Sequence, residues 1–468
     1  MADERIEDGI TRGRLRRAAP VAGLAARTAG EAVVTSLLRR GKEPDPEQLA
    51  RRAERYVEVL GRSKGVLMKA GQMMSYVPFS TAVPEENRVL YQAAMSRLQA
   101  EAPPMASELA AQVLCDELGS APEKLFAEFA PIPIAAASIG QVHRARLHNG
   151  HEVAVKIQYP GVAEAIDADL KNTELLAVFF QLIRSMVPGF TRIDPKAVAG
   201  EISSRIREEL DYRIEAAHQS YFANAYDGHP YFHVPHVIED LSTEHVLTQE
   251  FSDGMPWRQA LECDQSLKDQ WGEAINRFVF GGLRRLHAFN ADPHPGNYLF
   301  HSDGSVTFVD FGCVKRFDPQ QVALMQRVIV ATVGQDAEGL LAAMVDSGVF
   351  DPAAGLTAIE VLAWYSQSFE MMLAPQPFTI TPEMAARTIQ HEFSPTGPSS
   401  KVVRALNPPP DFVFLSRIDM GLLSVLGELR ATADWRAIQN ELDFAAPPST
   451  PMGEADLAFW GAPCTPVA

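Results

Sequence analysis

Hydrophobic and polar positions alternate along the chain in three distinct textures. Between Gly9 and Lys42, Leu15, Ala22, Ala26, Ala29, Val33 and Leu37 recur on a three- and four-residue period with Arg on the other faces, which predicts a mildly amphipathic helix. After a polar break from Gly41 to Pro46, residues 47–77 read as one or two further helices, and Ala100 to Pro104 reads as a linker. The second texture begins at Phe126, with short strand-like runs at Phe126 to Ile134, Val142 to Leu147 and Glu152 to Gln158. The last two flank His148-Asn149-Gly150, whose Asn-Gly pair is a strong hairpin signal. Residues 162–187 and 194–226 read as two long helices, followed by strand-like Val234 to Ile238 and Val246 to Phe251. Beyond Gly254 helical periodicity dominates, over 266–289, 319–346, 355–373 and 415–431. A strand–turn–strand unit from Tyr298 to Val309, built around Asp303-Gly304, interrupts it. The region 375–412 gives no clear pattern, and residues 445–468, rich in Pro and Ala, read as a loose tail.

The order therefore predicts an α+β chain in five parts: a basic amphipathic segment (1–46), a helical extension (47–104), a small antiparallel lobe with inserted helices (105–251), a helical lobe (252–445) and a flexible tail (446–468). With 468 residues, 46% of them hydrophobic, the chain has material for one large or two medium cores. A net charge of −17 argues against generic nucleic-acid binding, because neutralising phosphates needs a basic face. The balance is uneven, since the first 70 residues carry 15 basic and 10 acidic side chains. A basic amphipathic helix either lies on an anionic membrane surface or packs on its own domain, and both readings stay open. No apolar run reaches the roughly 20 residues of a membrane helix, and Met1 to Asp8 is acidic where a secretory signal is basic. A cytoplasmic protein, soluble or peripheral on the inner face of a membrane, is expected. The four cysteines lie far apart with no C-x-x-C pair, so neither a disulfide framework nor a zinc site is suggested.

The chemistry concentrates in Asn290-Ala291-Asp292-Pro293-His294-Pro295-Gly296-Asn297, followed by Val309-Asp310-Phe311-Gly312. An Asp, an Asn five residues on, a hairpin and then Asp-Phe-Gly is the order protein kinases use. In that order Asp292 orients or deprotonates an attacking hydroxyl or water, while Asn297 and Asp310 hold Mg²⁺. Alone, Asp-Phe-Gly is as readily a turn after a strand. Upstream, Val153-Ala154-Val155-Lys156 has the form of the strand whose Lys reaches the nucleotide phosphates and is held by a helix Glu. Ala135-Ala136-Ala137-Ser138-Ile139-Gly140-Gln141-Val142 stands where a kinase has G-x-G-x-x-G-x-V, with two of three glycines replaced by alanine. Alanine visits positive φ only at a cost, so the loop is expected to be stiffer than a glycine-rich one. Glu250-Phe251-Ser252 follows a strand as a nucleotide hinge does, although Phe251 could equally be core. His294 reads as a loop-structuring residue, with no second histidine or cysteine at ligand spacing.

From about Arg51 to Phe317 the chain resembles the UbiB/AarF family of atypical protein-kinase-like proteins, linked to ubiquinone and other isoprenoid-lipid metabolism. Lys69-Ala70-Gly71-Gln72 matches that family's K-x-G-Q motif and Glu209-Leu210-Asp211 its E-x-D motif. The resemblance implies a two-lobed kinase-like fold with a helical N-terminal extension folded over the active site, Lys69 and Gln72 upon it and Lys69 facing Glu209. It also implies that Glu215, not Glu209, partners Lys156, whereas spacing alone does not choose among Glu208, Glu209, Asp211 and Glu215. ATP or ADP with Mg²⁺ is the implied cofactor. An anionic membrane and isoprenoid-lipid or quinone-biosynthesis enzymes are the implied partners.

Two rivals accompany this reading of an ATPase. One is a small-molecule or lipid kinase, since the loop Asp292 to Asn297 also resembles that of aminoglycoside and choline kinases. The other is a nucleotide-gated scaffold with negligible turnover. Because Asn290-Ala291 stands where kinases have His-Arg, an activation-loop phosphate lacks its usual Arg partner, and phosphorylation of protein substrates is not expected.

Overall fold

The computed structural model describes residues 105–464 apart from 138, 165, 167–206 and 394–396. The basic segment, the helical extension with Lys69 and Gln72, Ser138 and most of the helix expected over 162–187 lie outside the described residues.

In chain order, α1 (Ser107–Leu118) precedes β1 (Glu128–Phe129), β2 (Ala135–Ala136), β3 (Gly140–Arg146) and β4 (Glu152–Gln158). Then come α2 (Tyr212–Ala225), β5 (Phe232–His233), β6 (Val246–Glu250), α3 (Gln265–Leu286) and β7 (Ala288–Asn290). The hairpin β8 (Tyr298–Phe300) and β9 (Val306–Phe308) leads to β10 (Val314–Arg316). The rest is helical: α4 (Pro319–Val333), α5 (Ala337–Asp346), α6 (Ala358–Tyr365), α7 (Pro382–Phe393), α8 (Pro410–Leu429), α9 (Trp435–Phe444) and α10 (Pro451–Trp460), with a short strand pair at Phe378–Thr379 and Thr432–Ala433. The fold is α+β and kinase-like.

The chain forms two compact units. Among the described residues the first holds 105–166, 207–216 and 237–251, and the second holds 217–236 and 252–464. The division falls inside α2, so residues 217–236, expected in the first lobe, belong with the second. The first unit is an antiparallel sheet in the order β1-β3-β4-β6, with β2 also paired to β3. Its strands alternate apolar and polar positions, and Val153, Val155, Ile157, Val246 and Leu247 form a core with Leu114 and Phe126. The second unit is built on α3, whose buried face carries Trp271, Ile275, Phe278 and Leu283. Phe278 stacks on Phe308 at 3.6 Å between ring centroids and Trp271 packs on Phe300 at 5.0 Å, which seats the β8–β9 hairpin against the helix.

Several expected boundaries move for identifiable reasons. The strand expected over Phe126 to Ile134 shrinks to β1, because Pro131 and Pro133 offer no N–H to a ladder. The helix expected through 194–226 is interrupted at 209–211: residues 207–208 are helical, 194–206 lie outside the described residues, and α2 begins at Tyr212 after a turn in which Asp211 Oδ1 accepts the Arg213 N–H at 3.0 Å. Helix 319–346 divides into α4 and α5 at Gln335 (φ 54°), with Asp336 capping α5 by accepting from the Gly339 N–H. Helix 266–289 ends at Leu286, where His287 turns left-handed and frees 288–290 for β7. The loose tail is instead α10, a helix whose Met452, Gly453 and Asp456 are buried.

An ionic ladder explains that order. Arg277 on α3 donates to Glu441 Oε2 at 2.7 Å and to Glu273 Oε1 at 2.7 Å. Arg284 Nε donates to Asp443 Oδ1 at 2.7 Å, and Arg285 reaches Asp456 at 3.3 Å and the Ala462 carbonyl at 3.0 Å. Three arginines on one helix thus hold the carboxylates of α9 and α10. Since removing one partner of a buried pair strands the other charge, Asp443→Ala is expected to cost about 3 kcal/mol or more, read as a lowered urea midpoint.

Candidate active site

In the first unit β3 and β4 run antiparallel, with Gly140 opposite Gln158 and Val142 opposite Lys156. A side chain at Gly140 would run into the Ile157 carbonyl oxygen. Glycine is required there by the approach of two backbones, and its φ is not the reason. Ala135 and Ala136 form the exposed β2 and pair with Val142 and Gln141. The Ala137 N–H donates to the Gly140 carbonyl at 2.8 Å.

Lys156 Nζ donates to Glu215 Oε1 at 2.8 Å and Oε2 at 2.9 Å, with side chains 15% and 5% exposed. It also stands 5.0 Å from the centre of the Tyr212 ring. Glu215 lies in the first turn of α2, so of the four acids in this segment it is the one that receives Lys156. Glu209 and Asp211 sit in the turn ahead of the helix. Asp211 takes Arg213 Nε and Nη2, each at 2.8 Å, and these bonds hold its carboxyl below the usual carboxylate range. Glu250 ends β6 opposite Val153, and the Phe251 N–H donates to the Glu152 carbonyl at 3.1 Å. The Arg144 guanidinium covers the Phe251 ring at 4.4 Å, a contact that spacing did not disclose.

In the second unit one hairpin collects the loop residues. The Val309 N–H donates to the Asn297 carbonyl at 2.9 Å, just outside the β8–β9 ladder, so Asn297 and Asp310 stand together at its open end. Asn297 Nδ2 donates to the Asp292 carbonyl at 3.0 Å and to Asp292 Oδ2 at 3.1 Å, which leaves Oδ1 as the acceptor on the other side of the amide. Asp310 adopts a left-handed conformation, φ 66°, with Oδ1 accepting the Gly312 N–H at 3.2 Å. His294 Nδ1 accepts the Gly296 N–H at 3.0 Å and so shapes the loop.

A residue with no assigned role in the sequence reading ties these pieces together. Asn290 Nδ2 donates to the Asp310 carbonyl at 2.7 Å, and Asn290 Oδ1 accepts the Asp292 N–H at 3.1 Å. The Ala291 N–H reaches the Cys313 carbonyl at 2.6 Å beside the β7–β10 ladder. His218 Nδ1 lies 3.3 Å from the Phe311 carbonyl, and Phe311 packs on Phe222 at 5.1 Å. Ser252 Oγ donates to Thr307 Oγ1 at 3.1 Å. Gly421 of α8 lies under the loop, where any side chain would overlap the Pro293 ring.

The donor set suits a hard divalent cation. Asn297 Oδ1 and the Asp310 carboxylate are both oxygens, as Mg²⁺ prefers. Among the described residues no group of three His, Cys, Asp or Glu could hold a metal by itself, so a cation here would complete its shell with water and phosphate oxygens.

A metal-suited Asn and Asp beside a second Asp, in a chain that also pairs a strand lysine with a helix glutamate, is the organisation of protein-kinase-like phosphotransferases. Residues 97–344, more than half of the chain, match the ABC1 atypical kinase-like domain. The chain belongs to that family, the UbiB/AarF group to which its motifs pointed. It is 36% identical over 64% of its length to the chloroplastic Protein ACTIVITY OF BC1 COMPLEX KINASE 8 of Arabidopsis thaliana, covering 39% of that protein. It is 33% identical over 70% of its length to the mitochondrial Atypical kinase COQ8B of Rattus norvegicus, covering 59% of it. The chain thus spans well under two thirds of these curated relatives. A solved structure, the complex of Rv3197 with erythromycin from Mycobacterium tuberculosis, superposes with a TM-score of 0.62 at 31% identity, covering 86% of this chain and 98% of that one. Among the described residues no helix is long and apolar enough to cross a membrane.

Because Gly421 leaves no room beneath the loop, Gly421→Ala is expected to displace Pro293 and cost about 1–3 kcal/mol. Faster amide exchange confined to residues 290–297 and their neighbours would report that displacement.

Proposed function

We propose that the protein is an atypical kinase-like ATPase that binds Mg-ATP or Mg-ADP and supports isoprenoid-quinone or related lipid metabolism at a membrane surface. The observation that carries the nucleotide and metal part is the bracket of Asn290, Asp292, Asn297 and Asp310. The Asn290 and Asn297 amides bond the Asp310 and Asp292 backbones and the Asp292 carboxylate into one arrangement, with the Asn297 amide oxygen and the Asp310 carboxylate as its oxygen donors. The lipid part rests on the family resemblance, and fold does not fix function.

In this reading Asn297 Oδ1 and the Asp310 carboxylate hold Mg²⁺, which neutralises phosphate charge when bound. Lys156, aimed by Glu215, contacts phosphate oxygens. Asp292, aligned by the Asn297 amide and by Asn290 at its backbone, orients an attacking hydroxyl or water. The backbone of Glu250 to Ser252 serves the purine. The Ala135 to Val142 turn covers the phosphates with less freedom than a glycine loop, and Lys69, Gln72, Glu209 and Asp211 restrain the acceptor side. Asn290 spends both ends of its amide within the bracket. Ala291 stands where protein kinases place the Arg that receives a phosphorylated activation segment, so protein substrates are not part of the proposal.

A second reading, a small-molecule kinase with the same residues, is favoured by the solved relative having been captured with erythromycin, a small molecule. A metabolite screen for phosphorylated products separates the two.

Steady-state ATP hydrolysis with Mg²⁺, with and without anionic liposomes, tests the first. Turnover stimulated by liposomes and lost in Asp310→Asn supports it, with Mg²⁺-dependent nucleotide affinity falling about tenfold or more on losing a charged contact. Unchanged nucleotide binding in that variant sinks the metal assignment, and binding without turnover selects the scaffold. Deleting residues 1–42 is expected to weaken sedimentation with anionic liposomes, most at low salt. Equal sedimentation of both forms removes the membrane helix from the proposal.

A further inference from the structure

The second unit contains a cavity of about 80 Å³ away from the loop just described, enclosed by α3, α4, α6, α7, α8 and α9. Its walls are mostly apolar, with Met325, Met371, Met372 and Met420 among them. Two carboxyl groups nevertheless line it, Glu392 from α7 and Asp419 from α8, and among the described residues no Lys, Arg or His does. Two aromatic rings, Tyr365 and Phe369, sit 5.2 Å apart in the same wall.

Buried acids normally carry partners. Glu392 Oε2 accepts only a long bond from Ser368 Oγ, 3.3 Å, and no hydrogen bond reaches Asp419 from the described residues. The Arg284 guanidinium on α3 acts on Asp419 as well; its Nε donates to Asp443, and its Nη1 and Nη2 are buried with no hydrogen-bond partner among the described residues. Burial raises Glu392 to about 8, with Asp419 adding to the effect, and raises Asp419 to about 7, which Arg284 opposes. Tyr365 feels both acids and is itself pushed up, chiefly by burial. Two acids that accept no hydrogen bond from a Lys, Arg or His among the described residues, flanked by methionines and aromatic faces, describe the complement of an ammonium group on an apolar body. A bare metal ion would find too few oxygens, and among the described residues no three-ligand group exists.

We propose that this cavity binds a small lipophilic amine, its hydrocarbon against the Met and Phe side chains and its ammonium received by Glu392 and Asp419. The inference is independent of the nucleotide reading, since no residue of the cavity belongs to the loop bracket.

The test is a head-group series on the full chain: n-hexylamine, n-hexanol and n-hexanoate, titrated by calorimetry at pH 7 in two buffers of different ionisation enthalpy. Hexylamine is expected to bind about tenfold or more tightly than either analogue, the worth of a charge-assisted bond. It is also expected to release a fraction of a proton per amine bound, because an ammonium favours the ionised acid. In Glu392→Gln/Asp419→Asn the amine preference and the proton release should both vanish while nucleotide affinity is kept. That variant should fold, because an acid raised in the native state binds more protons folded than unfolded. Its contribution therefore falls as pH rises from the unfolded value towards 8, a loss the amides escape. Equal affinity for hexanol, absence of saturable amine binding at millimolar concentration, or undiminished amine binding in the double variant overturns the proposal.

Discussion

The hydrogen bond from Val309 to the Asn297 carbonyl is the constraint on which the chemistry of the second unit depends. It closes the open end of a three-residue ladder, and a slip of one residue would turn every side chain of the hairpin over. The register is held by aromatic packing: Phe308 against Phe278, Phe300 against Trp271, and Tyr298 edge-on to Phe308. The apolar face of α3 thus decides where Asn297 and Asp310 stand. Asp310 is held at φ 66°, a conformation costing a non-glycine residue of order 1 kcal/mol, and the bonds it accepts from the Asn290 amide and the Gly312 N–H keep it there.

The first unit solves a related problem with bulk. Lys156 must leave its strand in a fixed direction, and the register that sets Val142 opposite it survives only if β3 can lie against the Ile157 carbonyl. A hydrogen atom at Gly140 permits that approach. Glu215, on a different element, then supplies the counter-charge that keeps a half-buried ammonium in place.

The strand–helix order was legible in the sequence because period-two and period-3.6 patterns are strong in β3, β4, α3 and α8. The Asp292, Asn297 and Asp310 set was legible through spacing, and Lys156 through its strand. Choosing Glu215 over Glu208, Glu209 and Asp211 needed the resemblance, since helical spacing treats nearby acids alike; the structure then breaks the helix at Asp211. Asn290 was legible only as a departure from the kinase His-Arg pair, because its bracing role arises from contacts to Asp310, twenty residues on, and to the Asp292 backbone. The end of the chain was misread because Pro and Ala content says nothing of Arg277, Arg284 and Arg285, whose carboxylate partners on α9 and α10 lie more than 150 residues away.

Gly421 and Asp419 lie two residues apart on α8, a rotation of about 200° that sets them on opposite sides of the helix. One side bears on Pro293 without slack, and the other borders the cavity. The helix is therefore a party wall between two compartments, and a sideways shift of a few tenths of an ångström is felt in both. Should each compartment hold its own molecule, thermodynamic reciprocity requires that whatever one occupant does to the affinity of the other is returned in equal measure.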